Sequence, residues 1–175
     1  FYLLTFLSGA CALIYEVIWH RYLAILLGAQ NRATVTVLAV FLGGLGLGYL
    51  LFGNYSRRTS GNLVKAYGLV EVGIGLWAFL FPWLFRGGQE LSGKLLVGWG
   101  MESFAMDLCL SFLMMLVPTV LMGATLPLLT QALSHEFEGS SRIHARIYGW
   151  ITVGACIGSL LAGYVLIPYL TLPLA

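Results

Sequence analysis

Five long apolar stretches constrain this chain more than any other feature of its sequence. A helix needs about 20 mostly apolar residues to cross a bilayer, and every one of these stretches is long enough. They are Tyr2–Gly28, Ala33–Phe52, Leu63–Phe85, Phe104–Leu133 and Ile147–Leu170. None has the alternating polarity of a barrel strand. The pattern therefore predicts an all-α fold, a polytopic bundle of transmembrane helices.

The composition agrees with an integral membrane protein. Of the 175 residues, 59% are hydrophobic and only 9% are charged. A soluble domain carries about 25% charged residues, and a domain of this size could not bury so much apolar surface. The net charge of +2 is too small to indicate a nucleic-acid partner. We expect the lipid bilayer to be the main partner of this chain.

The two ends of the sequence suggest a piece of a longer protein. The first residue is Phe1 rather than Met, and the final residues "TLPLA" have the character of a turn into another span. We therefore interpret residues 1–175 as a single transmembrane helical domain, with five spans seen and a sixth begun. Between the third and fourth spans, residues 86–101 are mildly amphipathic and predict a short interfacial helix.

The basic residues predict the orientation of the bundle. One side is expected to carry Arg57, Arg58, Lys65, Arg142 and Arg146. The opposite side is expected to carry Arg32, Arg86 and Lys94, with Arg21 near that end of the first span. The positive-inside rule places the more basic side in the cytoplasm, so we expect a cytoplasmic N-terminus. Basic residues of the stretch 134–146 are expected to lie near lipid phosphates.

Glycine pairs four residues apart occur in the second and fifth spans. Gly44 and Gly48 form one pair, and Gly154 and Gly158 form the other. Small residues at this spacing let two helix backbones approach closely. In transporter halves built from inverted three-helix repeats, the second and fifth helices occupy equivalent positions. We interpret both pairs as helix-packing sites.

Three of the ionisable residues within the predicted spans form a candidate site where charge is costly. Glu16 is near the centre of the first span, His20 follows it by one helical turn, and Glu71 is near the centre of the third span. A carboxylate at mid-membrane costs about 2.5–3.5 kcal/mol. An internal Glu16–His20 pair, protonation of the carboxyl, or a bound cation could each offset that cost. We expect Glu16 to face the third span.

The role of these residues stays open between two interpretations. They form a candidate intramembrane cation or proton site, in which Tyr15, Trp19 or Trp77 could offer ring faces to a cation. Alternatively, they only fix the packing of the helices. We predict no metal site and no cofactor, because the cysteines (Cys11, Cys109, Cys156) are scattered and no ligand spacing is present. No catalytic residue is predicted within the chain.

Several blocks of the sequence occur together in a recognisable order. They read "FLSGACALIYEVIWHRYLAILLG", "GLGLGYLLFGNYSRR", "YGLVEVGIGLWAFLFP", "PTVLMGATLPLLTQAL" and "RIYGWITVGACIGSLLAGYVLIPYL". Over nearly the whole chain they resemble the membrane module of bacterial spermidine-synthase-like proteins, a fused major facilitator/spermidine synthase family. The resemblance implies half of a major-facilitator-like fold in a bacterial inner membrane. Many members continue into a cytoplasmic aminopropyltransferase domain, which would lie beyond Ala175.

The stretch Gly53–Gly61 is also similar to the major facilitator signature between its second and third helices. It keeps Gly53, Arg57 and Arg58, which we expect to form a basic cytoplasmic turn. Asn54 and Ser56 stand where an acidic residue would be expected, so the usual charge relay is not implied here.

Two functions from different classes follow from these observations. The first is a half-transporter that handles a small cation such as a polyamine, together with a second half-bundle or other membrane subunits. The second is a non-transporting membrane anchor, either for a fused or associated soluble synthase or as an accessory subunit of a larger membrane complex.

Overall fold

A computed structural model describes residues 2–27, 30–59, 61–99, 103–134 and 140–169, with side chains for 2–27, 31–59, 61–94, 106–133 and 144–169. The described residues are helical apart from short connections, and they contain no strand. The helices are α1 (Tyr2–Leu26), α2 (Gln30–Arg58), α3 (Leu63–Trp99), α4 (Ser103–Ser134) and α5 (Ser140–Leu161). The fifth helix continues through a π-helical stretch, Ala162–Leu166, into a last turn, Ile167–Tyr169.

All five helices are long and apolar enough to cross a membrane. The predicted all-α transmembrane bundle is therefore confirmed. The "TLPLA" end, where a sixth span was expected to begin, lies outside the described residues.

The third helix differs from the prediction. It runs without a break for 37 residues to Trp99. Of the interfacial helix expected at residues 86–101, the described part, 86–99, is therefore a continuation of α3. At a rise of about 1.5 Å per residue, a helix of this length exceeds the hydrocarbon core of about 30 Å. Pro82 lies within the helix, and Gly87, Gly88 and Gly93 do not interrupt it.

Helices α1 and α5 pack in direct backbone contact through glycines. A Cβ atom added to Gly154 would overlap the carbonyl oxygen of Phe6, and one added to Gly158 would overlap that of Ala10. Gly9 of α1 approaches α5 in the same way, against Ile151. The rings of Tyr2 and Trp150 lie side by side, Phe6 lies against Gly154 and Ala10 against Gly158. These three pairs advance together along both helices, so α1 and α5 run parallel.

Helices α2 and α4 form a second parallel pair of the same construction. A Cβ atom on Gly48 would overlap the carbonyl oxygen of Val120, and one on Gly44 would overlap the side chain of Thr119. In return, Gly123 of α4 lies against the backbone of Leu45. Each pair thus has a close glycine contact contributed from both helices, which is the geometry that small residues permit in membranes.

Helix α3 packs antiparallel on α4 and compensates for a proline there. Pro118 lacks an N–H group, so it cannot bond the carbonyl of the residue four positions earlier, which is Met114. The indole Nε1 of Trp77 donates to that carbonyl at 3.1 Å. The freed acceptor is therefore satisfied by the neighbouring helix, as buried backbone groups in a membrane require.

A buried hydrogen bond joins α3 and α4 near their connection. Ser92 Oγ donates to Asp107 Oδ1 at 2.5 Å, and both residues are less than 10% exposed. Replacing Ser92 with alanine should destabilise the protein by about 1–3 kcal/mol, because a buried acceptor loses its partner. Titration of the purified protein with a denaturing detergent measures this change.

The matched control is Ser159→Ala. The hydroxyl of Ser159 bonds only the carbonyl of Cys156 in its own helix, at an exposed position. We expect its loss to change stability by less than about 0.5 kcal/mol, as surface substitutions do. Equal effects of the two substitutions would show that the Ser92–Asp107 bond contributes nothing specific.

Candidate functional site

A cavity of about 180 Å³ lies at the centre of the bundle, and all five helices line it. We call it the central cavity. From α1 come Ser8, Gly9, Cys11, Ala12, Leu13 and Tyr15; from α2, Phe41 and Leu45; from α3, Glu71, Ile74 and Gly75; from α4, Met122 and Thr125; from α5, Ile151 and Ala155. Gly9 and Ile151 form part of the close contact between α1 and α5, and both residues also line the central cavity. The close packing of these two helices therefore forms one wall of it.

Glu71 carries the one carboxyl group among the described side chains of this lining. Ser8 Oγ of α1 donates to Glu71 Oε1 at 2.6 Å. The phenol of Tyr67, one turn earlier on α3, lies beside the same carboxyl group and Ser8. The contacts that orient this carboxyl group thus come from hydroxyl groups, which carry no charge.

The described lining of the central cavity contains no lysine, arginine or histidine. A carboxylate in a region of low dielectric is stabilised by a paired cation or by protonation. The lining therefore offers a negative charge with hydroxyl ligands around it, and the missing positive charge would have to come from a bound cation or a proton.

Aromatic rings flank the central cavity at one end. Tyr15 lines it and stacks on Trp19 with ring centroids 5.6 Å apart, and Trp19 stacks on Phe81 at 5.0 Å. Trp19 is only 2% exposed, so its faces are occupied by neighbouring rings. Trp77 is engaged with α4 through its indole N–H. Of the three rings predicted to meet a cation, only Tyr15 lines the central cavity.

Glu16 lies elsewhere, in a second cavity of about 280 Å³ between α1 and α2. We call it the α1–α2 cavity. His20 lines it together with Thr34 of α2, and His20 Nε2 lies 2.9 Å from Thr34 Oγ1. The expectation that Glu16 faces the third span is wrong, because the side chains lining this cavity come from α1 and α2 alone.

The structure therefore divides the three residues predicted as one candidate site. Glu16 and His20 share the α1–α2 cavity, whereas Glu71 lines the central cavity. Leu13 lines both cavities and stands between them. The partner that the structure gives to the imidazole Nε2 of His20 is Thr34, a residue of the next helix, rather than Glu16.

Arg57 and Arg58, predicted to form a basic turn, lie in the last turn of α2. Arg57 Nη2 donates to Asn54 Oδ1 at 2.7 Å. At the start of α3, Asn62 Oδ1 accepts from the backbone N–H of Lys65 at 3.0 Å and so caps that helix.

Sequence reasoning missed Ser8, Cys11 and Tyr67 as neighbours of Glu71. Serine and cysteine are common in membrane helices, and a tyrosine one turn before a glutamate is an ordinary helical spacing. The available signal was weak: Ser8 and Tyr67 are polar residues within otherwise apolar stretches. Their proximity depends on the packing of α1 against α3, which one sequence does not reveal.

The part of the chain that the structure describes contains no group of three or more histidine, cysteine, aspartate or glutamate residues that could hold a metal ion. Comparison of the chain with models of known protein families, with curated proteins and with solved structures gave no match.

Proposed function

We propose that this chain is a transporter-like membrane half-bundle that binds a small cation at Glu71. The observation that carries the proposal is a carboxyl group within a membrane span that lines a cavity between five helices. Its side-chain partners among the described residues are the hydroxyl groups of Ser8 and Tyr67. Ionisable residues inside the membrane commonly mark the path of an ion or substrate.

The size and lining of the central cavity favour a small organic cation. A cavity of about 150 Å³ is sufficient to hold a molecule such as benzene, and the central cavity has about 180 Å³. Tyr15 presents an aromatic ring to it, and aromatic faces attract ammonium groups. The resemblance to spermidine-synthase-like membrane modules supports a polyamine as the cation.

The helix pairing supports a half-transporter architecture. Exchanging α1 with α4 and α2 with α5 converts the α1–α5 pair into the α4–α2 pair, and both pairs have reciprocal glycine contacts. Inverted three-helix repeats would produce such an exchange. On this proposal the chain works with a second half-bundle in a bacterial inner membrane, with the end bearing Arg57 and Arg58 in the cytoplasm.

The direct test is cation binding and uptake. Purified protein in detergent is titrated calorimetrically with spermidine, putrescine and sodium, and the protein reconstituted in vesicles is assayed for uptake of labelled spermidine. We expect saturable binding of at least one polyamine. Failure of every cation to bind, in a protein that remains folded, would contradict the proposal.

A non-transporting membrane anchor is the second candidate function. The observation in its favour is that the Ser8–Glu71 hydrogen bond ties α1 to α3, so Glu71 could act in packing alone. On this alternative, substitutions at Glu71 lower the stability of the bundle while cations leave it unchanged.

The natural cysteine of the central cavity provides a further prediction. Cys11 is exposed and lines the cavity with Glu71, whereas Cys109 and Cys156 do not line it. In the Cys109→Ser/Cys156→Ser protein, a cationic methanethiosulfonate should modify Cys11 faster than an anionic one. We expect a preference of at least about tenfold, equivalent to about 1.4 kcal/mol, because the cavity carries the charge of Glu71.

The control is the same labelling in a protein that also carries Glu71→Gln. Removing the carboxylate should abolish the preference for the cationic reagent, and spermidine should slow the labelling only when Glu71 is present. Identical rates for the two reagents with Glu71 in place would mean that the central cavity has no negative potential.

A further inference from the structure

A third cavity lies at the end of the bundle where α2 ends, and polar side chains from three helices line one part of it. It has about 180 Å³ and is formed by α2, α4 and the beginning of α5. Asn54, Ser56 and Arg57 come from α2, Thr130 from α4 and His144 from α5. We call it the end cavity. It shares no residue with the central cavity or the α1–α2 cavity.

The charge of the end cavity is the reverse of that at Glu71. Arg57 supplies a guanidinium group and His144 an imidazole, and no carboxylate occurs among the described residues of the lining. An arginine is always charged in proteins. The described lining therefore has a positive charge with no acidic partner, and an anion is the ligand that would complement it.

The donors in the end cavity are held in position by their neighbours. Arg57 donates one N–H group to Asn54 at 2.7 Å, which uses only one of the five donors of a guanidinium. His144 Nδ1 lies 3.3 Å from Thr130 Oγ1, so this contact occupies one ring nitrogen and fixes the ring between α4 and α5. Planar guanidinium groups bind phosphate oxygens with two parallel hydrogen bonds.

The remaining lining indicates where such a phosphate would come from. Tyr49, Leu50 and Pro127 form an apolar part of the end cavity, and Leu50 is 66% exposed on the side of α2. A polar pocket that opens onto an apolar helix surface matches a lipid, with its headgroup at the charged end and its chains along the helix. Tyrosine is enriched where membrane proteins cross the interface between membrane and water.

We propose that the end cavity is a phosphate-binding site, with Arg57 as its anchor and His144 as a second donor. The ligand class is a phosphate group that carries net negative charge, either in an anionic lipid headgroup or as free phosphate. This site is independent of cation binding at Glu71, and the two can be tested separately.

The experiment compares two arginines of the same helical turn. The full-length protein is purified in mild detergent, stripped of lipid and titrated with phosphatidylglycerol under native mass spectrometry. We expect Arg57→Gln to weaken lipid binding at least about tenfold, as loss of a charge-assisted hydrogen-bonding group does. Arg58→Gln should change it less than about threefold, since Arg58 does not line the end cavity.

Further variants and ligands make the outcome decisive. Arg57→Lys should bind with intermediate affinity, because it keeps the charge and loses the planar fork. Zwitterionic phosphatidylcholine should bind equally to all variants. The effect of inorganic phosphate on thermal unfolding distinguishes the two sources of the phosphate group. If free phosphate stabilises the protein only when Arg57 is present, the ligand is soluble phosphate. If free phosphate has no effect while lipid binding still depends on Arg57, the ligand is a lipid.

Two results would overturn the proposal. If Arg57→Gln and Arg58→Gln weakened lipid binding equally, lipid binding would depend only on the overall charge at this end of the bundle. Unchanged binding of both lipid and phosphate in a folded Arg57→Gln protein would mean that the end cavity binds no phosphate.

Discussion

Replacing Glu71 with glutamine is expected to weaken cation binding by more than a factor of about ten while the bundle stays folded. Glutamine keeps the size of the side chain and an oxygen that can accept the hydrogen bond from Ser8. It removes the one negative charge in the described lining of the central cavity. Truncating one member of a buried charge pair costs about 2–5 kcal/mol, so polyamine affinity should fall roughly 30-fold or more. Calorimetric titration of purified protein measures the change.

The matched control for this prediction is Glu16→Gln. Glu16 is also a carboxylate within a membrane span, but it lines the α1–α2 cavity rather than the central cavity. Its neutralisation should change polyamine affinity by less than about threefold, because no direct contact with the cation is lost. If Glu71→Gln binds polyamine as tightly as the original protein and only unfolds more easily, Glu71 acts in packing and the anchor function is favoured.

The sequence predicted the helices well because their cause is local. Each span is defined by the length and hydropathy of one continuous stretch, and a bilayer requires little else of a helix. The end of α3 was predicted poorly for a related reason. Hydropathy falls after Phe85 although nothing stops the helix, so the polar continuation to Trp99 looked like a separate element.

The candidate site was predicted less completely because its contacts are distant in sequence. Ser8 and Glu71 are 63 residues apart, and no spacing rule relates residues on different helices. Glu16 and His20 were placed on one face by the helical repeat, and both do line one cavity. Thr34, which approaches His20 from α2, could not be foreseen from the spacing within α1.

The glycine pairs show what a spacing rule can and cannot give. The repeat of four residues indicates a surface suited to close packing, and Gly48 and Gly154 do lie against neighbouring backbones. The rule does not identify the partner helix. It also does not identify Gly9 and Gly123, the glycines that complete the two contacts, because each is the single glycine of its helix. Packing at both crossings encloses the central cavity, so glycines remote from Glu71 control its shape.

Replacing Gly48 with alanine should destabilise the protein, although the same change two residues earlier should not. The added methyl group at Gly48 would overlap the carbonyl oxygen of Val120, whereas Gly46 faces open space. Overpacking costs about 1–3 kcal/mol and occasionally more, and here a backbone atom must yield, so α2 and α4 must separate. Alanine is otherwise favoured over glycine within a helix by about 1 kcal/mol.

Gly48→Ala should therefore lower the free energy of unfolding, and Gly46→Ala should raise it, when both are measured by titration with a denaturing detergent. Because both substitutions add the same methyl group, its general effect cancels in the comparison. Gly154→Ala and Gly149→Ala repeat the test on α5, where a Cβ at Gly154 would overlap Phe6 and Gly149 faces open space. Separation of either pair would also widen the central cavity, so the destabilised variants should bind polyamine more weakly as well. If Gly48→Ala and Gly46→Ala were equally stable, the close contact between α2 and α4 would not be what holds the bundle together.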